Sequence, residues 1–133
     1  MGLTFDYLGI VAESIPESVR FYSELGVVVE LPEPCEDHVE TVLPNGMRLA
    51  WDSLELIKQI DPTWEAPKGQ RMGIGFLCDT PDEVDSAYQR VVAAGFKGKM
   101  EPWDAFWGQR YATVLDPDGN EVSLFAWIGK EIA

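Results

Sequence analysis

Residues 14–26 read SIPESVRFYSELG and residues 80–95 read TPDEVDSAYQRVVAAG. Each stretch begins with a hydroxyl residue, followed by a proline within two positions and by a glutamate three positions on. This combination predicts a capped first turn of a helix, because the hydroxyl accepts a hydrogen bond from a backbone N–H in that turn. Gly26 and Gly95 predict the two helix ends, since glycine readily adopts the left-handed conformation found there. Two helices built alike indicate an internal repeat.

Strand candidates surround both helices in the same order. They are stretches rich in β-branched and aromatic residues, one before each helix and three after it. Two landmarks, Gly9 with Gly75 and Tyr22 with Tyr88, recur 66 residues apart. The order is therefore β-α-β-β-β, twice. The predicted strands are Thr4–Ala12, Val27–Leu31, His38–Leu43 and Met47–Asp52 in the first repeat, and Arg71–Asp79, Phe96–Pro102, Gln109–Leu115 and Asn120–Trp127 in the second.

Turn residues mark the connections between these elements. Asn45-Gly46 predicts a two-residue hairpin, because both residues tolerate positive φ. Residues 116–119, Asp-Pro-Asp-Gly, predict a turn, and residues 101–108 predict a loop that exposes two tryptophans. A polar stretch with prolines, Ser53 to Gln70, predicts a linker with one helical turn around Leu54 to Ile60.

Composition limits the classes of protein that fit. The chain has 133 residues, of which 46% are hydrophobic, and its formal net charge is −13. It is therefore predicted to fold as one domain, 1–133, with module 1 at about 4–52, module 2 at about 71–127 and the linker at about 53–70. The acidic charge disfavours nucleic acid as a partner, and the short apolar stretches predict no membrane span and no secretory leader. We expect a soluble, cytoplasmic protein.

Three motifs, in this order and spacing, resemble the vicinal oxygen chelate superfamily. They are RFYSELG at residues 20–26, WGQR at 107–110 and DPDGN at 116–120, set within the repeated unit. The superfamily includes glyoxalase I, extradiol dioxygenases and the fosfomycin- and bleomycin-resistance proteins, and the resemblance covers about Thr4 to Trp127. It implies an α+β fold of two tandem βαβββ modules that form one cupped, mostly antiparallel sheet with helices on the convex side. It also implies a homodimer.

The resemblance further implies where a divalent metal would be bound. The family's ligand positions fall on Tyr7, Ala50, Gly73 and Ser123, none of which is a good metal ligand. The only histidine, His38, lies on a different predicted strand and is expected to be an exposed or rim residue. We therefore expect no metal and no cofactor. The closest branch is then the metal-free, bleomycin-resistance-like one.

Without a metal, aromatic rings and acidic charge remain as the means of binding a small molecule. The chain has 5 Trp, 6 Phe and 4 Tyr, and flat rings suit a planar or heteroaromatic ligand. Asp52, Asp104 and Glu121 are candidates to attract a cation. Trp51, Phe21 and Tyr22 are instead expected in the core. The predicted ligand-binding residues are Tyr7, Asp52, Trp103, Phe106, Trp107, Tyr111, Ser123 and Phe125, with Trp103 and Trp107 the strongest candidates.

Three functions remain open at this point. The first is a metal-free homodimer that sequesters an aromatic or cationic small molecule, with antibiotic or toxin resistance as one role. The second is a superfamily enzyme, either a lyase or dioxygenase with a degenerate metal site or a metal-free isomerase with Tyr7 and Asp52 as acid and base. The third is a scaffold with a vestigial cup. Arg110 is expected to pair with an acidic residue rather than with a ligand.

Overall fold

The computed structural model describes residues 2–129. The chain forms two compact units, one up to Ala66 and one from Pro67 on. The boundary falls inside the predicted linker. The single-domain organisation over 1–133 stays a prediction, and residues 1 and 130–133 lie outside the described residues.

The first unit is a three-stranded sheet with two helices. The strand order is β1-β3-β2, with β1 parallel and β2 antiparallel to β3. The chain between the two parallel strands contains a helix and the third strand, so it is long enough for the crossover that parallel pairing requires. The elements are β1 (Tyr7–Ala12), α1 (Ile15–Ser23), β2 (His38–Val42), β3 (Arg48–Ser53) and α2 (Leu54–Ile60).

The second unit is a four-stranded sheet with one helix. The strand order is β4-β7-β6-β5, again with one parallel pair, β4 and β7. The predicted α+β class is confirmed and the elements are consistent with βαβββ modules, of which the second unit has the complete pattern; the strands form two sheets and not one. The elements are β4 (Ile74–Leu77), α3 (Pro81–Ala93), β5 (Lys97–Ala105), β6 (Gln109–Leu115) and β7 (Glu121–Trp127).

Both predicted helix starts are confirmed. The Ser14 hydroxyl accepts from the Glu17 backbone N–H, and Thr80 does the same for Glu83, at 3.3 Å in each case. Gly95, which follows the C-cap residue Ala94 of α3, has a φ of +97°. These caps satisfy backbone groups that a helix end leaves without intrahelical partners. The helical turn predicted in the linker is also present, as α2.

One predicted strand, Val27–Leu31, is wrong. These residues form no ladder, and the observed link to β2 is the hydroxyl of Thr41, which donates to the Val28 carbonyl at 2.8 Å. The Val27 N–H instead donates to the Tyr22 carbonyl at the end of the preceding helix, at 3.1 Å, and the prolines at positions 32 and 34 supply no N–H for a ladder beyond the segment. The first unit therefore has one strand fewer than the second.

Two predicted loops also differ from the structure. The hairpin between β2 and β3 has a three-residue loop, in which Leu43 bonds to Met47 and only Gly46 has positive φ. Pro44 explains the difference, because its fixed φ suits the first central position of a type I turn. The loop predicted at 101–108 is mostly strand, since β5 pairs with β6 up to Ala105 and leaves only residues 106–108 as the turn.

The core lies on one face of each sheet. Trp51 is fully buried in the first unit with Phe21 and Tyr22 of α1, as predicted. The second unit buries the α3 face in the same way, with valines and leucines of β6 and β7 against Val84 and Val91. The side chains on the opposite face of each sheet do not belong to this core and are candidates for contact with a ligand. Within residues 2–129, no helix has the length and hydropathy that crossing a membrane requires.

Candidate functional site

The face of the first sheet that points away from Trp51 carries polar side chains. Cross-strand pairing places Tyr7 opposite Arg48 and His38 opposite Asp52. Glu40 follows His38 by two residues and therefore shares its face, because side chains alternate along a strand. We call these five residues, Tyr7, His38, Glu40, Arg48 and Asp52, the polar cluster.

The guanidinium of Arg48 contacts three neighbouring side chains. Its Nε donates to the Asp6 carboxylate at 2.9 Å, and its Nη1 donates to Glu40 at 3.2 Å. The guanidinium also lies over the Tyr7 ring, 4.9 Å from the ring centroid. This cation–π contact covers one side of the phenol ring.

His38 lies between two carboxylates. Its Nδ1 is 2.6 Å from Asp52 Oδ1 and its Nε2 is 2.9 Å from Glu40 Oε2. Ionised carboxylates only accept hydrogen bonds, so both bonds form together only when the imidazole is protonated. The bond to Asp52, and next the bond to Glu40, raise the pKa of His38, whereas burial opposes them. The expectation of a rim histidine missed this pairing with Asp52.

Tyr7 is held in its neutral form. Burial raises the pKa of its phenol, and the negative charges of Asp52 and Glu40 raise it further against the opposing effect of Arg48. A neutral phenol donates a hydrogen bond but is a poor metal ligand and a poor base. Tyr7 can therefore contact a ligand but cannot abstract a proton in this state.

NMR of the only histidine in the chain tests the polar cluster. We expect the ring of His38 to titrate with a pKa above that of an unstructured histidine. Asp52→Asn is expected to lower that pKa more than Glu40→Gln, because the bond to Asp52 is the larger cause. An unshifted titration in the wild-type protein would contradict the geometry.

The raised pKa of His38 also predicts how the stability of the fold changes with pH. A pKa that is raised in the folded state stabilises the fold below the pKa of the unfolded histidine, and this contribution is lost as pH rises through the folded value. We therefore expect the urea midpoint to fall with rising pH over that range. His38→Gln removes the titrating ring and is expected to flatten this dependence.

The second sheet carries aromatic side chains on the face away from α3. Trp103 is paired with Tyr111, Tyr111 with Phe125, and Phe125 with Leu77, so one row crosses all four strands. The neighbouring row is small and polar, with Thr113 beside Ser123. The row of rings offers flat apolar area of the kind on which a planar ligand can stack.

Trp107, in the turn between β5 and β6, is the centre of a ring cluster. Its ring packs edge to face against Trp103 at 5.6 Å, Phe106 at 5.0 Å and Tyr111 at 5.3 Å between centroids. Trp107 is 38% exposed and Phe106 is 91% exposed. We call Trp103, Phe106, Trp107 and Tyr111 the aromatic cluster. Four predicted binding residues thus lie together.

The polar atoms of this cluster differ in their partners. The Trp107 indole N–H donates to Gln109 Oε1 at 2.7 Å, and the Tyr111 hydroxyl bonds to the Ser123 hydroxyl at 2.6 Å. Trp103 Nε1 is buried and has no hydrogen-bond partner among the described residues. Ser123 therefore acts by orienting Tyr111, and Gln109 orients Trp107.

The carboxylates predicted to attract a cation are already paired with cationic side chains. Asp52 bonds to His38, Asp104 to Arg110 at 3.1 Å and Glu121 to Lys99 at 2.5 Å. The predicted pairing of Arg110 is confirmed. Its other partner is Asp85 on α3, through two bonds of 3.0 Å, so the guanidinium lies on the helix side of the sheet.

The chain was compared with known families and structures. Residues 4–124 match the family described as "Glyoxalase/Bleomycin resistance protein/Dioxygenase superfamily". The protein is a member of this superfamily. No curated protein is significantly similar to the chain in sequence.

Solved structures of superfamily proteins have the same fold. A glyoxalase/bleomycin resistance protein/dioxygenase from Nocardioides is 27% identical, with a TM-score of 0.75 over 100% of this chain and 90% of the other. A family enzyme from Burkholderia phytofirmans is 18% identical, with a TM-score of 0.80 over 95% and 100%. A glyoxalase-related enzyme from Fulvimarina pelagi is 20% identical, with a TM-score of 0.79 over 95% and 88%.

The superfamily includes metal-dependent enzymes, but the side chains of this chain supply few donors for a divalent ion. At the family's ligand positions Ala50 and Gly73 have no donor, Ser123 is bonded to Tyr111, and Tyr7 is a neutral phenol. Both nitrogens of His38 are engaged, by Asp52 and Glu40. No three His, Cys, Asp or Glu residues within residues 2–129 form a group that could hold a metal ion. These residues do not fit a divalent metal site.

The predicted site residues therefore form two groups. Tyr7 and Asp52 belong to the polar cluster of the first unit, and the other six lie on the aromatic face of the second unit. Sequence reasoning missed Glu40, Arg48 and Gln109. A signal was available for Glu40, which is two residues from His38 on one predicted strand, the spacing that places side chains on one face. Trp107 lies in the turn at 106–108, so strand alternation does not relate it to Gln109.

Proposed function

We propose that the protein is a metal-free, small-molecule binding member of the superfamily, of the bleomycin-resistance-like branch. Its ligand is a planar aromatic or heteroaromatic molecule, preferably cationic. The observation that carries the proposal is the aromatic cluster, in which Trp107 and Trp103 are partly exposed and oriented by their neighbours. Partly exposed tryptophans that pack edge to face present ring faces on which a flat ligand can stack.

The preference for a cation rests on charge and on the ring faces. The net charge of −13 creates a potential that attracts cations and repels anions. Electron-rich indole and phenol faces add cation–π attraction at short range. Because Asp52, Asp104 and Glu121 already have cationic partners, we assign the preference to these two effects and not to one free carboxylate.

The biological setting is proposed from the resemblance to the same branch. A homodimer in the cytoplasm that sequesters an antibiotic or a toxin would need no reaction and no cofactor. Neither nucleic acid nor a membrane is proposed as a partner, because the strongly acidic charge repels phosphate groups.

Calorimetric titration tests the proposal. The probes are 9-aminoacridine, a planar cation, and 9-anthracenecarboxylate, a planar anion of similar shape. We expect 9-aminoacridine to bind about tenfold more tightly or better, and the difference to shrink as salt screens the charge. Equal affinity for both probes would contradict the cation preference, and no binding of either would contradict the proposal.

Metal analysis separates binding from the metal-dependent enzyme. Protein purified without chelators is expected to contain far less than one equivalent of Zn, Fe, Mn or Ni per chain. Binding of 9-aminoacridine is expected to be unchanged by a chelator. One equivalent of a metal, with binding or turnover that depends on it, would overturn the metal-free assignment.

A further inference from the structure

Trp103 carries the buried polar atom that has no partner. Its indole Nε1 is shielded from solvent and donates to nothing within residues 2–129. The two other polar atoms of the aromatic cluster are satisfied, Trp107 by Gln109 and Tyr111 by Ser123. A buried N–H without an acceptor is rare in folded proteins, because it loses its bond to water without replacement.

The position of this N–H relates it to the proposed binding surface. Trp103 lies on β5 opposite Tyr111, and its ring packs edge to face with Trp107, 5.6 Å between centroids. Trp107 belongs to the short turn at 106–108, and one side-chain hydrogen bond, to Gln109, orients its indole. Because Nε1 is covered, a ligand can reach it only if neighbouring side chains, such as the Trp107 indole packed against it, move aside on binding.

We propose that the ligand supplies this acceptor, so that Trp103 is the residue that sets polar specificity. The inference rests on the proposed function and narrows the ligand class. The ligand would be an aromatic ring system that carries a hydrogen-bond acceptor, a ring nitrogen or a carbonyl oxygen, at its edge. The Trp103 N–H donates to that atom while the neighbouring rings contact the ligand face.

Ligands with an acceptor are expected to bind more tightly than hydrocarbons of the same shape. A ring nitrogen loses its bond to water on binding, so it is a disadvantage unless the site returns a hydrogen bond. Trp103 can return that bond without breaking a hydrogen bond to another group within residues 2–129. A site with an unsatisfied donor thus discriminates against analogues that lack the matching acceptor.

The test compares ligands that differ by one ring atom. The probes are 1-naphthylmethylammonium and a set of quinolinylmethylammonium isomers, which keep the same shape and the same charge. We expect at least one quinolinyl isomer to bind wild-type protein about tenfold more tightly than the naphthyl probe. In Trp103→Phe, which removes the N–H and keeps an aromatic ring, this advantage is expected to vanish.

Trp107→Phe is the matched control, because it removes an indole N–H that already has a partner. We expect weaker binding of all probes in this variant but an unchanged advantage of the preferred quinolinyl isomer. The wild-type comparison needs no variant, so its negative outcome counts against Trp103 even if Trp103→Phe folds poorly. Naphthyl binding without any better quinolinyl isomer would overturn the role of Trp103 and leave the proposed function intact. Binding of no probe would overturn both, and an advantage that persists in Trp103→Phe would overturn the role of Trp103.

Discussion

Replacement of Trp51 by alanine is expected to lower the free energy of unfolding by about 3–5 kcal/mol. The Trp51 side chain is 0% exposed and packs against Tyr22 of α1 at 6.0 Å between ring centroids. Its indole N–H donates to the hydroxyl of Ser18, which is also fully buried. Alanine would remove the largest buried side chain of the first unit and leave a cavity. Urea denaturation measures the change.

Two variants separate packing from hydrogen bonding at this position. Ser18→Ala keeps the ring and removes the acceptor, so the buried indole N–H loses its partner, at a cost of about 1–3 kcal/mol. Met72→Ala, at a position 89% exposed, is expected to change stability by less than about 0.5 kcal/mol. A loss below about 1 kcal/mol for Trp51→Ala would show that this residue does not fill the core of the first unit.

Replacement of Trp107 by alanine is expected to weaken the binding of 9-aminoacridine by about ten- to a hundredfold. The ring of Trp107 contacts three other rings of the aromatic cluster and is oriented by Gln109. Its removal takes away a stacking surface and also frees its neighbours to change orientation. Calorimetry with the same probe measures the loss.

The free energy of unfolding of Trp107→Ala distinguishes a lost binding surface from a lost fold. Because Trp107 is 38% exposed and lies in a turn, its removal is expected to cost about 1 kcal/mol or less. Trp64→Ala, which removes the same residue type outside both sheets, is expected to leave the affinity unchanged. Unaltered binding in a folded Trp107→Ala protein would place the ligand elsewhere.

The helices could be predicted from the sequence because their signals are local. Ser14 and Thr80 cap the helices within a single turn, and each lies three residues from its partner. The strand at Val27–Leu31 failed for the opposite reason. Its residues suit a strand, but pairing depends on a neighbour in β2 and on the prolines that follow.

The site was predictable to the extent that it follows alternation along strands. Trp103 and Tyr111 were placed among the binding residues, and they are cross-strand partners. The link of His38 to Asp52 spans 14 residues and depends on the register of β2 against β3, which the three-residue loop sets. Sequence spacing alone does not fix that register, so the pairing was missed.

Because residues 27–31 do not form the predicted strand, β2 is an edge strand of the first sheet, whose order is β1-β3-β2. An exposed edge strand offers unpaired N–H and C=O groups that can pair with an edge strand of another molecule, which is a route to aggregation. His38 and Glu40 project charged groups from this strand. Stacking a second copy against it would strip the His38–Glu40 pair of water, at a cost in desolvation. The polar cluster therefore also guards the protein against self-association into extended sheets.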